Sequence, residues 1–340
     1  MDKKIKPTGI SFSAGGVLAI AQMGALSSLI ESGMTSDVTD WYGCSGGCFA
    51  AICGVIHASP QWIRDSASVC DLRFLGDIDD ELISGFMTSW GIVSGDRLLE
   101  MLGRIVDTWE PGFSTWTFGQ LPVGHDLHII ATNLTKGCAT VFNSVNTPTV
   151  RILDAVRASI AIPCFLTPWV DPVSGDIHCD GAVFEYYPWH SVKDKDRTLV
   201  ITCSDKVLKS AANVQIHTVI DYVSRIFSMK LSAQFHDQPR LLITMNNSAF
   251  KSLNYRITRE ERMELFEEGR LALISTSPTE MSETREMHPF LADRRISHDP
   301  CSACPDKTLD IPRPYTLPPP EDPFQHPRTG SQQKRRRWSL

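Results

Sequence analysis

A serine set between glycines is the residue of this sequence best suited to covalent chemistry. It is Ser45, and it stands in Gly43-Cys-Ser45-Gly-Gly47, which fits the pattern G-x-S-x-G between a strand-like and a helix-like segment. In such a nucleophile elbow, small residues allow a sharp turn that projects the serine hydroxyl from the edge of a sheet. Serines also cap helices without any chemistry, but the flanking Gly43 and Gly47 favour a nucleophile.

A second turn of small residues lies upstream, in Ser13-Ala-Gly-Gly-Val17, again between a strand and a helix. Only about one strand–helix–strand unit fits before Ser45, and the right-handed crossover rule makes its two strands parallel. If they are neighbours, both turns lie at one edge of the sheet. The backbone N–H groups of the upstream turn would then stabilise an oxyanion by on the order of 3 kcal/mol each. The candidate donors are Gly15, Gly16 and Val17.

Other interpretations of this upstream turn fit its residues less well. A P-loop for nucleotides ends in Gly-Lys-Ser or Gly-Lys-Thr, and a Rossmann fingerprint keeps three glycines in G-x-G-x-x-G. Neither pattern is present. A plain strand–helix connection is therefore the remaining alternative to an oxyanion hole.

The base that would activate Ser45 has two kinds of candidate. A hydrolase triad places an acid and then a histidine after the serine, which here would draw on His190, His217 or His236. The other candidate is Asp180, a carboxylate beside a glycine at the end of a strand-like run. Because Asp-Gly pairs commonly form turns, the residues alone leave this choice open.

The elements that would position these residues alternate between strand and helix. Strand-like runs lie at residues 9–13, 40–43, 127–132, 140–143, 199–203 and 241–245. Helices are predicted at 17–31 and 46–57, and the apolar spacing of residues 98–106 predicts a third. Such alternation predicts an α/β fold with a mostly parallel sheet that is covered on both faces.

Four motifs follow one another along the chain. They are Ser13-Ala-Gly-Gly-Val17, Gly43-Cys-Ser45-Gly-Gly47, Ala158-Ser-Ile-Ala-Ile-Pro163 and Asp180-Gly-Ala182. Taken together and in this order, they resemble the patatin-like phospholipase family. The similarity covers most of residues 8–275 and also includes Ala131-Thr-Asn-Leu134, Asp154-Ala-Val-Arg157 and Glu185-Tyr-Tyr-Pro188.

The resemblance implies a three-layer α/β/α acyl hydrolase with a Ser–Asp dyad. By it, Ser45 is the nucleophile, Asp180 is its direct base, and the upstream turn forms the oxyanion hole. Gly181 and Ala182 complete the aspartate motif. The implied reaction passes through an acyl-enzyme, needs no metal or cofactor, and cleaves phospholipid or neutral-lipid esters. We expect a phospholipase A or lysophospholipase type of activity at a membrane surface.

The upstream turn departs from the pattern of the family, Gly-Gly-Gly-x-Arg/Lys-Gly. Here it reads Ala14-Gly-Gly-Val-Leu18-Ala19. Alanine keeps its N–H but tolerates positive φ poorly, and Leu18 removes a charge. One alternative is thus an impaired member of the family that binds lipid or a protein partner. A Ser-His-Asp α/β-hydrolase is a weaker one, because those folds place several strands before the elbow.

Composition separates a body from a tail. Residues 5–288 carry the periodic segments and are predicted to form the catalytic domain. Residues 289–340 contain ten of the 21 prolines and end near a basic run at 334–337. Such a segment cannot bury enough apolar surface to offset its ordering entropy, so we expect a disordered tail.

The overall charge and apolar content exclude several classes of protein. The 340 residues carry 33 Lys and Arg against 39 Asp and Glu, a net charge of −6, with 42% hydrophobic residues. A nucleic-acid binder would show a basic excess, and a disordered chain far fewer apolar residues. With neither a membrane-span run nor a signal-peptide pattern, we expect a cytoplasmic protein that visits membranes peripherally.

Several further features have a structural and a functional interpretation. The ten cysteines, including Cys301-x-x-Cys304, are expected to be ordinary reduced residues. Residues 214–231 predict an amphipathic helix, packed on the sheet or acting as a lid. The indoles of Trp90, Trp109 and Trp116 suit a core or a bilayer contact. A capping box, Thr258-x-x-Glu261, predicts the start of a helix at 258–271.

Overall fold

The computed structural model describes residues 6–76, 86, 88–204, 241–246 and 253–275. All of them belong to one of the chain's two units, Met1–Arg285. The strands are β1 Gly9–Phe12, β2 Asp40–Cys44, β3 Gly91–Val93, β4 Asp126–Asn133, β5 Cys138–Phe142, β6 Cys164–Leu166, β7 Trp169–Val170, β8 Ile177–Cys179, β9 Thr198–Ser204 and β10 Leu241–Asn246. The helices are α1 Ala19–Glu31, α2 Gly47–Val55, α3 Pro60–Val69, α4 Asp96–Asp107, α5 Ile152–Ser159 and α6 Arg259–Ser275.

Eight of these strands form one sheet with the order β10-β9-β1-β2-β4-β8-β7, and β5 pairs with β4. The pairs from β10 to β4 are parallel, whereas β5 and β8 run antiparallel to β4. β3 and β6 form a separate parallel pair. All eight residues of β4 are buried, which indicates that both faces of the sheet are covered. The predicted mixed α/β fold with a mostly parallel sheet is confirmed.

The pairing of β1 with β2 brings the two small-residue turns to the same edge of the sheet. The two strands are parallel, and Gly9 of β1 is in register with Asp40 of β2. Each strand is followed by a helix, α1 after β1 and α2 after β2. Two helix N-termini therefore lie at adjacent strand ends, as the sequence predicted.

Helices α1 and α6 touch through their backbones at two glycines. A Cβ atom on Gly24 of α1 would overlap the carbonyl oxygen of Phe266, and one on Gly269 of α6 would overlap the carbonyl oxygen of Ala21. Glycine is intrinsically unfavourable in a helix by about 1 kcal/mol relative to alanine. The close contact, not helix propensity, therefore explains both glycines.

Replacing Gly24 with alanine is expected to destabilise the fold by about 3 kcal/mol or more, because the added methyl meets backbone that cannot rotate away. Urea unfolding followed by circular dichroism measures the effect. The matched control is Ser27→Ala in the same helix, where a fully buried hydroxyl has no hydrogen-bond partner among the described residues. Equal stability of the Gly24→Ala variant and the control would contradict the contact.

The predicted capping box begins α6. The N–H of Glu261 donates to Thr258 Oγ1 at 3.2 Å, and the N–H of Thr258 donates to Glu261 Oε2 at 2.7 Å. The predicted helix at 214–231, the predicted tail and the Cys301/Cys304 pair lie outside the described residues. Within the part of the chain that the structure describes, no helix is long and apolar enough to cross a membrane.

Candidate active site

Ser45 lies in a strained turn between β2 and α2. Its φ is +51°, in the left-handed region that residues with a Cβ atom rarely adopt. The side chain is buried, and its Oγ donates a hydrogen bond to Oδ2 of Asp180 at 2.7 Å. The serine and the aspartate are 135 positions apart in the sequence, so the fold itself brings them together.

The glycines around Ser45 are required by close packing of the backbone. A Cβ atom on Gly43 would lie 2.6 Å from the Cα of Cys48. On Gly47 it would lie 2.5 Å from the carbonyl oxygen of Ser13, in the upstream turn. The G-x-S-x-G spacing therefore lets the elbow fold tightly and also lets it press against the glycine-rich turn.

Asp180 directly follows β8, and its side chain reaches the hydroxyl of Ser45. Its Oδ1 accepts the backbone N–H of Ala182 at 2.8 Å, which leaves Oδ2 to the serine hydroxyl. Burial raises the pKa of the Asp180 carboxyl to about 6, against the lowering effect of these two hydrogen bonds. Gly181 is needed because a Cβ atom there would overlap the carbonyl oxygen of Ile130.

The upstream turn presents unpaired backbone donors beside the elbow. A Cβ atom on Gly46 would lie 2.6 Å from the carbonyl oxygen of Gly16, so the two turns are in contact. The N–H of Ala14 is already used, since it donates to the carbonyl of Tyr186 at 2.8 Å. No acceptor among the described residues pairs with the N–H of Gly15 or Gly16. These two groups are therefore available to an oxyanion.

The departures of this turn from the pattern of the family are accommodated by the backbone. Positive φ occurs at Gly16, at +54°, and Ala14 does not have it. The alanine therefore avoids the conformation that it tolerates poorly. Leu18 is 1% exposed and belongs to the hydrophobic core, so this position does not offer a charge to a substrate head group.

Of the three histidines that were candidates for the base, only His190 lies among the described residues. Nδ1 of His190 lies 3.0 Å from Oε1 of Glu185, and the His190 side chain is 72% exposed. His217 and His236 lie outside the described residues. The structure thus joins the Ser45 hydroxyl to Asp180, the carboxylate that the residues alone left as one of two kinds of candidate.

One cluster in the part of the chain described here has the donor set of a metal site. Ligand atoms of Asp40, Asp126 and His128 lie within 4.8 Å of one another. Nζ of Lys193 lies 2.8 Å from Asp40 Oδ1 and 3.4 Å from Asp126 Oδ2, so an ammonium group already offsets their charge. Both aspartates begin their strands, at the edge opposite Ser45. The cluster is therefore separate from Ser45 and Asp180.

Sequence reasoning missed the residues that hold these groups in place. Ser159 Oγ accepts the backbone N–H of Ser45 at 2.9 Å. Gln22 Nε2 donates to the Ser13 carbonyl at 2.8 Å, and Thr132 Oγ1 donates to the Asp180 carbonyl at 2.8 Å. Ser159 lies in a segment noted only for its resemblance to a family, whereas Thr132 ends a predicted strand. Polar residues in otherwise apolar, buried segments were the available signal.

The arrangement contains the groups that acyl transfer requires. A buried hydroxyl is bonded to a carboxylate of raised pKa, which can accept its proton. The turn that contacts the elbow carries backbone N–H groups with no acceptor among the described residues, which is the kind of donor that an oxyanion hole uses.

Comparison with known proteins points to one family. The family model described as patatin-like phospholipase matches residues 10–193. An uncharacterized protein of Acanthamoeba polyphaga mimivirus is 26% identical over 289 residues, which are 78% of this chain and 93% of that protein.

Solved structures are similar to this chain at low sequence identity. VipD of Legionella pneumophila has a TM-score of 0.50 and 14% identity, over 79% of this chain and 66% of VipD. ExoU of Pseudomonas aeruginosa, in complex with SpcU, has a TM-score of 0.42 and 15% identity, over 80% of this chain and 53% of ExoU. The chain therefore spans about two thirds of VipD and about half of ExoU.

Proposed function

The chain belongs to the patatin-like phospholipase family, and from this premise we propose that it cleaves carboxylic esters of membrane lipids with Ser45 as nucleophile and Asp180 as general base. The observation that supports this most directly is the 2.7 Å hydrogen bond from Ser45 Oγ to Asp180 Oδ2 in a buried site. A phospholipase A or lysophospholipase type of activity is the finer part of the proposal.

The proposed reaction has two halves that use the same groups. Asp180 takes the proton of Ser45 Oγ as that oxygen attacks the ester carbonyl, and the N–H groups of Gly15 and Gly16 stabilise the resulting oxyanion. The C–O bond to the alcohol then breaks, and Asp180 returns the proton to the leaving oxygen. In the second half, Asp180 takes a proton from water as the water oxygen attacks the acyl-enzyme carbonyl. The C–O bond to Ser45 Oγ then breaks, and Asp180 returns the proton to that oxygen as the fatty acid leaves.

Contact with a membrane surface is part of the proposal, because the substrate resides in a bilayer. Phe184 follows Asp180 by four positions and is 41% exposed, and Trp90 is 58% exposed. Exposed aromatic rings of this kind suit the interface between water and lipid. Of the three tryptophans considered for a bilayer contact, the other two make contacts within the fold. Trp109 donates its indole N–H to the carbonyl of Ile56, and Trp116 packs against Phe113.

The test combines turnover with covalent labelling of the serine. In the presence of EDTA, the purified chain should release fatty acid from phosphatidylcholine vesicles, because the dyad needs no metal. A fluorophosphonate should label Ser45, as identified by peptide mass spectrometry. If the chain binds the vesicles but releases no fatty acid and resists labelling, it is the impaired, lipid-binding member of the family and the proposal is wrong.

A further inference from the structure

The hydroxyl of Ser159, the last residue of α5, lies directly behind the nucleophile turn. The residue is 0% exposed. Its Oγ accepts the backbone N–H of Ser45 at 2.9 Å and donates to the carbonyl of Ile130 in β4 at 2.5 Å. A weaker contact, from Cys48 Sγ at 3.3 Å, completes its surroundings. One hydroxyl therefore connects the turn to a helix and to a central strand.

The turn needs this partner because of its conformation. Ser45 has a φ of +51°, which is unfavourable for any residue with a Cβ atom and persists only when neighbours impose it. A buried N–H also has to be hydrogen-bonded, since leaving it unpaired carries the full penalty of its desolvation. Ser159 meets both needs, and it does so from rigid secondary structure.

The same segment also holds the base. The backbone N–H of Asp180 donates to the carbonyl of Ala161 at 2.8 Å, two positions after Ser159. The nucleophile is thus attached to the segment through the Ser159 side chain, and the base through the Ala161 backbone. The stretch from Ser159 to Ala161, at the end of α5, therefore contacts both Ser45 and Asp180 and fixes the distance between them.

We propose that Ser159 is a positioning residue that sets the orientation of Ser45 towards Asp180 and the oxyanion donors. The proposal rests on the proposed function, in which Ser45 is the nucleophile. It also has a consequence for the oxyanion hole. Because the N–H of Ser45 is bonded to Ser159, the donors to the oxyanion come from elsewhere, which agrees with the N–H groups of Gly15 and Gly16, for which the described residues offer no acceptor.

The direct test is Ser159→Ala, which removes the acceptor and leaves the N–H of Ser45 unpaired. We expect kcat for a short-chain p-nitrophenyl ester to fall by roughly 10-fold to 100-fold, since small misplacements of reacting groups cost this much. KM should stay within about threefold, because the binding surface is unchanged. The rate of fluorophosphonate labelling should fall with kcat, while its endpoint should match that of the wild type.

The matched control is Cys48→Ala, which removes the other side chain that contacts Ser159 Oγ but keeps the bond to Ser45. Its kcat is expected to stay within about twofold of the wild type. Ser159→Cys gives a second variant, whose thiol is a weak acceptor and whose kcat should lie between those of alanine and serine. If the alanine variant fails to fold, this variant carries the test.

The outcomes separate the two proposals. If the wild type hydrolyses the ester and the Ser159 variants keep its kcat, the positioning role is wrong and the proposed function stands. The role is also wrong if kcat falls only as far as the labelled fraction falls, because that result indicates misfolded protein. A wild type that neither hydrolyses the ester nor reacts with the label overturns the proposed function, and the role of Ser159 with it.

Discussion

Replacing Ser45 with alanine is expected to lower the rate of ester hydrolysis by roughly 10⁴-fold or more, because no acyl-enzyme can form. The remaining groups, including the N–H donors of Gly15 and Gly16, still polarise a bound ester, so a small residual rate is expected. Fatty acid release from phosphatidylcholine vesicles and p-nitrophenyl ester hydrolysis both measure the loss. Fluorophosphonate labelling should disappear in parallel.

The matched control for this change is Ser27→Ala, a second buried serine in the helix that follows the glycine-rich turn. It should keep the activity of the wild type. Alanine at position 45 inherits the φ of +51° that the serine already has, so the strain of the turn does not change. Substantial activity in a folded Ser45→Ala variant would refute the nucleophile.

Asp180→Asn is expected to cost about 10³-fold or more in kcat, because an amide cannot take the proton of Ser45. The geometry should survive, since the amide oxygen can still accept the N–H of Ala182 and the amide nitrogen can face Ser45 Oγ. In the wild type, kcat/KM should rise with pH and level off above an apparent pKa of about 6, the value to which burial raises this carboxyl. The variant should lose this limb of the profile.

The stability of the same variant should change in the opposite direction to its activity. A carboxyl whose pKa is 3.8 when unfolded and about 6 when folded favours the folded state fully below 3.8. That contribution is lost as the pH rises through 6, and the ionised group then costs roughly 3 kcal/mol relative to its protonated form. At neutral pH, Asp180→Asn should therefore melt at the same temperature as the wild type or higher.

Two sets of controls show whether the loss of kcat is specific to Asp180. Asp176→Asn, four positions earlier, changes a carboxylate that bonds to Asn133 and Lys136 instead of Ser45, and it should leave kcat unchanged. Single alanine variants of His190, His217 and His236 should also keep kcat. If one of these histidine variants loses activity and Asp180→Asn does not, the base is a histidine and the dyad is wrong.

The sequence allowed the two small-residue turns and their place in the sheet to be predicted. Gly43, Gly47 and Gly16 are local signals, since each permits a backbone approach or a φ that other residues resist. The short spacing and the crossover rule then predicted that β1 and β2 are parallel. That they are also neighbours was a condition of the argument, and the structure meets it. Asp180 was different: β8, which precedes it, has three residues, too few for an alternating pattern, so only the resemblance to a family singled it out.

The remaining features depend on contacts between distant positions. Ser159 meets Ser45 across 114 positions, and nothing in its neighbourhood in the sequence indicates that contact. Gly24 and Gly269 resemble weak points of helices until the crossing of α1 and α6 is known. Helix α3 was recognisable in principle, since Ser59 caps it and Pro60 occupies its first turn.

The order of the strands has a consequence for how the protein is made. Among the described strands, β1 comes first in the sequence, yet it lies between β2 and β9, with Gly9 in register with Thr198. The N–H of Cys203 in β9 also donates to Ser13 Oγ in the glycine-rich turn. Until β9 leaves the ribosome, β1 therefore exposes an unpaired edge, and the turn beside Ser45 lacks one of its supports. The nascent chain therefore contains Ser45, the proposed nucleophile, well before β9 completes the surroundings of that serine.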